Sequence, residues 1–68
     1  MTANKTLLQK KYSRIIKLYS EQQNIDIRKA MDIFYKSLTY QEMRTGISDM
    51  HCRSDEYLVK ELMLEQQT

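Results

Sequence analysis

Apolar residues in this chain recur at three- and four-residue intervals, the period of a helix surface. Leu8, Tyr12, Ile15, Ile16 and Tyr19 fall on one arc about 100° wide and predict a first helix over residues 7–23. Thr6 with Gln9 three residues on has the spacing of a capping box that would start it. Asn24, which tolerates positive φ, would stop it. Ile27, Ala30, Met31, Phe34, Tyr35 and Leu38 then repeat at i, i+3, i+4, i+7, i+8 and i+11. This is the most regular pattern in the chain and predicts a second helix facing the core, capped by Asp26 with Ile25 as a staple. Thr39 and Glu42 make a second capping-box pair and predict a short third helix over 40–45, closed by Gly46. Residues 47–53 read as a turn or one helical turn capped by Ser48. Ser54 would cap a last helix, with Asp55 and Glu56 at its positive end and Leu58, Val59, Leu62 and Met63 buried. Residues 66–68 are expected to fray.

Composition agrees with helices and argues against strands. The 68 residues include no proline and one glycine, and no Asn-Gly or Asp-Gly pair is present to turn a hairpin. The expected fold is all-α, a compact small bundle of three longer helices and one short one, in a single domain over 1–68. A chain of this length buries roughly 60% of its unfolded surface, which supports one thin core and no deep pocket. One cysteine excludes an internal disulfide. No apolar run exceeds three residues, so neither a membrane-spanning helix nor a secretory leader is expected, and the expected location is cytoplasmic, with no membrane partner.

Charge sharpens the picture. The net charge of +2 is the sum of +5 over residues 1–20, 0 over 21–48 and −3 over 49–68. The first and last helices could lie side by side and compensate. A basic first helix could instead serve nucleic acid or an acidic partner, or chains could pair head to tail. Two apolar pairs point away from the expected core: Leu7 and Leu18 on the first helix, among Lys10, Lys11, Arg14 and Lys17, and Tyr57 and Leu64 on the last. Together with five methionines, which suit adaptable surfaces, these pairs suggest a surface that a protein partner or a second copy would cover. Leu7, Lys11, Arg14, Leu18 and Leu64 are therefore candidate partner-binding residues, with a homodimer among the outcomes. The alternative is a small nucleic-acid-binding protein using the basic first helix, in which binding would be phosphate-driven and salt-sensitive.

Chemistry has one place to reside, the run Asp49-Met50-His51-Cys52-Arg53-Ser54-Asp55-Glu56. It holds the chain's one histidine and one cysteine, adjacent and without a second Cys or His at ligand spacing. No catalytic residue, metal site, cofactor or small-molecule substrate is expected, and His51 is expected to pack at the entry to the last helix near Ser54.

From Met50 to Leu62 the chain reads Met-His-Cys-Arg-Ser-Asp-Glu-Tyr-Leu-Val-Lys-Glu-Leu. This resembles the box Leu-His-Thr-x-Gly-x-Glu-Tyr-Ile-Val-Glu-Asp-Ile in a family of very small bacterial proteins classed as a domain of unknown function. His51, Glu56, Tyr57 and Val59 match, Glu61 is acidic for acidic, and Leu58 and Leu62 are conservative, while Cys52 and Ser54 depart from the box. The resemblance implies a protein with no established activity. Some such proteins are encoded near ADP-ribosyltransferase-like partners, which implies an antitoxin or accessory role. It adds His51, Glu56 and Tyr57 to the candidate partner-binding residues.

Overall fold

The structure is a computed structural model that describes residues 5–67. Four α-helices follow one another: α1 (Lys5–Gln23), α2 (Ile27–Tyr35), α3 (Leu38–Thr45) and α4 (Asp55–Gln66), with a 3₁₀ turn (Ile47–Cys52) between α3 and α4. The described residues contain no strand, so the expected all-α bundle of three longer helices and a short one is what forms. Thr68, expected to fray, lies outside the described residues, and α4 holds through Gln66.

The helix ends follow local chemistry. Asn24 takes φ 55°, and the Ile25 amide then reaches back to the Ser20 carbonyl at 3.0 Å, the long-range bond of a Schellman stop. Gly46 takes φ 76° and its amide closes on the Glu42 carbonyl at 3.0 Å. Ser54 caps α4, its hydroxyl accepting from the Tyr57 amide at 3.1 Å. Asp26 occupies the cap position of α2 with extended backbone, but its side chain makes no capping bond.

Three capping expectations are corrected. α1 already includes Lys5, so Thr6 is inside the helix and the Thr6–Gln9 box does not start it. α3 begins at Leu38, capped by Ser37, whose hydroxyl accepts from the Tyr40 amide at 3.0 Å and donates to the Phe34 carbonyl. Thr39 has gone elsewhere: it is buried, and its hydroxyl and amide both donate to Glu65 of α4. Ser48 caps nothing, because it and Asp49 sit at φ 53° inside the 3₁₀ turn.

The core gathers Tyr12, Ile15, Ile16 and Tyr19 from α1, Ala30 and Phe34 from α2, Met43 from α3, Met50 from the turn, and Leu58, Val59 and Leu62 from α4. α1 is the shared wall, packed by α2 and by α4. Four rings, Tyr12, Phe34, Tyr35 and Tyr40, all approach one another within 4.9–6.4 Å between centroids, mostly edge to face, and pin α2 and α3 to α1.

Candidate functional site

The basic and acidic ends meet inside the chain. The Arg14 guanidinium donates to the Asp55 carboxylate at 2.9 Å, and the Lys11 ammonium lies 3.9 Å from the same carboxylate and donates to the Arg53 carbonyl. Compensation between the first and last helices is thus realised at the start of α4. Lys11 and Arg14, named above as candidate partner-binding residues, both reach the start of α4, and Arg14 remains exposed. Leu18, expected to point away from the core, is partly buried against it.

Leu7, Lys11, Arg14 and Leu18 are spaced i, i+4, i+7 and i+11, so they share one flank of α1. α4 packs against α1, and its start takes up Lys11 and Arg14 of that flank. Leu7, in the helix's first turn, remains 65% exposed. Lys10 and Lys17 are left as exposed cations of α1.

The box at the start of α4 splits in the same way. Glu56, Tyr57 and Leu64 are exposed, as expected, and the Arg53 guanidinium lies 5.4 Å from the Tyr57 ring centre. His51 is partly buried, and its ring lies against Gly46. A Cβ added at Gly46 would sit 3.5 Å from His51 Cε1 and 3.7 Å from Nδ1. The left-handed turn folds residue 51 back over residue 46. His51 Nδ1 ends up buried without a hydrogen-bond partner. Cys52 is exposed and unpaired.

The apolar surface that the pattern assigned to the core is a different one. On α2 only Ala30 and Phe34 are buried, with Ile33 partly so. Ile27, Met31 and Tyr35 remain 49%, 44% and 40% exposed, and Leu38, past the Ser37 bend, 59%. Ile27, Met31 and Tyr35 are spaced i, i+4, i+8 and make one row along the helix. The helix is rotated so that Ala30 is central to the buried side. Ile33 was the available signal: with it the apolar arc of α2 is wider than one neighbouring helix covers.

Two phenols stand apart electrostatically. Burial raises the Tyr12 hydroxyl above its usual 10.0, helped by the nearby Tyr40 and Tyr35 and opposed by Arg44. Burial alone raises Tyr19. Both face the core from α1 and offer no reactive group to solvent.

Among the described residues no three His, Cys, Asp or Glu side chains gather as a metal set, and no helix is long and apolar enough to cross a membrane. No family model, curated protein or solved structure matches the chain.

Proposed function

We propose that this chain is a non-catalytic protein-interaction module, of the bacterial antitoxin or accessory kind that the Met50–Leu62 box suggests. The observation that carries the reading is the aligned, exposed row of Ile27, Met31 and Tyr35 on a helix whose other side fills the core. Water-facing rows of this kind on a small domain mark surfaces that another protein covers. Tyr57, Glu56 and Leu64 are a second exposed group on α4, and the antitoxin-like contact that the box suggests would use it together with His51.

Purification from the native bacterial cell through a tag on this chain tests the reading. A stoichiometric protein should co-purify, and joint substitution of His51, Glu56 and Tyr57 by alanine should release it while helical circular dichroism is unchanged. Retention by the triple variant would remove the box from the interface. A chain that purifies alone would overturn the antitoxin-like role.

A further inference from the structure

We infer that the Ile27, Met31 and Tyr35 row is the docking surface for a second copy of this chain, with α2 packed antiparallel against α2 of the partner. The inference rests on the interaction-module reading and names the partner of this row.

The row suits its own copy. It is centred on Met31, with Ile27 one turn before and Tyr35 one turn after. A twofold axis at Met31 sets Met31 on the partner's Met31 and Ile27 on the partner's Tyr35, the self-complementary arrangement of an isologous contact. The charges on the flank support the same orientation. Arg28 and Asp32 are both exposed and lie one turn apart on the outer edge of the row. Antiparallel pairing brings Arg28 toward the partner's Asp32, and by symmetry does so twice. Parallel pairing would instead turn this flank toward the opposite flank of the partner's α2, the side on which Ala30 and Phe34 are buried, and would leave Arg28 and Asp32 without each other. Asp32 also holds Lys36 of its own chain at 3.1 Å, which orders the carboxylate at this edge.

Area sets the strength. At roughly 200 Å² per large side chain, the exposed fractions of Ile27, Met31, Tyr35 and Leu38 amount to about 400 Å² per copy. With Arg28 and Asp32 at the rim, the total for two copies comes to about 1,200 Å², the low end of specific interfaces. The expected dimer is therefore weak, with a Kd of about 10–100 μM.

Sedimentation equilibrium of the full chain from about 1 to 500 μM at low salt reads the association directly. Wild type should dimerise. Met31→Glu, at an exposed position, should stay monomeric with unchanged helical dichroism. Arg28→Asp and Asp32→Arg should each weaken dimerisation at least tenfold, because each sets like charges at positions 28 and 32 across the axis. An equimolar mixture of those two variants should associate again, since one chain then offers two anions and the other two cations. Recovery on mixing also shows that both variants are folded.

A wild-type chain that stays monomeric across the range overturns the self-docking, as does a mixture no more associated than its components. If such a monomer still retains a protein from the native cell, the interaction module stands and only its partner on this row is different. If it retains nothing, both readings fall.

Discussion

α1 and α2 are both amphipathic, and the fold treats them differently. α1 has α2 on one side and α4 on the other. It buries Tyr12, Ile15, Ile16 and Tyr19, and even the basic flank carrying Lys11 and Arg14 is drawn into contacts. α2 has the more regular apolar pattern, yet it buries only Ala30 and Phe34 fully. Its inner side meets α1, and α3, eight residues long, reaches the outer row only at Tyr35, through Tyr40, and leaves Ile27 and Met31 uncovered. Periodicity tells which side chains share a face. The number of neighbours decides how much of that face is covered.

The largest test of this contrast lies within α2 itself. Phe34 is fully buried among three tyrosine rings, and truncating a buried phenylalanine costs about 3–5 kcal/mol. A domain this small has about 3–10 kcal/mol in total, so Phe34→Ala should be largely unfolded or close to it. Met31→Ala, one turn closer to the N-terminus but facing outward, should cost under about 1 kcal/mol. Urea denaturation followed by circular dichroism at a few micromolar, below the range in which the proposed dimer would form, separates the two. A Met31→Ala cost comparable to that of Phe34→Ala would mean that the outer row is covered, and the contrast would be lost.

A middle-sized effect concerns how the far end of α2 is held. Glu65 of α4 accepts from the Leu38 amide at 2.8 Å, the Thr39 amide at 2.9 Å and the Thr39 hydroxyl. It thus satisfies, from a distant helix, two amides at the start of α3 that have no partner within the helix. Glu65→Ala should cost about 1–2 kcal/mol. Amide hydrogen exchange should quicken at residues 38–40 well before it does along the buried side of α1. Uniform quickening along the chain would show that α3 has no separate dependence on α4.

These residues also show what could be read in advance. Helix type, the stops at Asn24 and Gly46 and the Ser54 cap are local chemistry, and each stands as expected. Thr39 has the right spacing to Glu42 for a cap, but Glu65 is 26 residues further along and offers a partly buried carboxylate. Ser37 then takes the cap. Such competition depends on which elements meet, and spacing along one helix carries no trace of it. The same holds for Lys11 and Arg14, which reach the start of α4. The contact of His51 with Gly46 was not legible for a different reason: Ser48 and Asp49 adopt positive φ without being glycine, and that turn carries the ring back to Gly46. The exposed pair Tyr57 and Leu64 was legible because α4 has one buried stripe and one open side.

The smallest effect is visible only in alkali, and it isolates the covered helix. Tyr12 and Tyr19 both belong to α1, and burial is the leading cause that raises each phenol above its usual 10.0. The folded chain therefore holds these protons more tightly than the unfolded chain does. Their contribution is fully present below about pH 10, the unfolded value, and is lost as pH rises through the higher folded values. Tyr12→Phe keeps the ring contacts with Phe34, Tyr35 and Tyr40 and removes the ionisable group. Near pH 7 it should change stability by less than about 1 kcal/mol. Above pH 10 its stability should fall less steeply than that of wild type, and Tyr12→Phe combined with Tyr19→Phe should flatten the decline further. Urea midpoints at intervals from pH 8 to about pH 11 measure the slopes. An unchanged alkaline slope in the double variant would show that α1 is no better shielded from water than the outer row of α2.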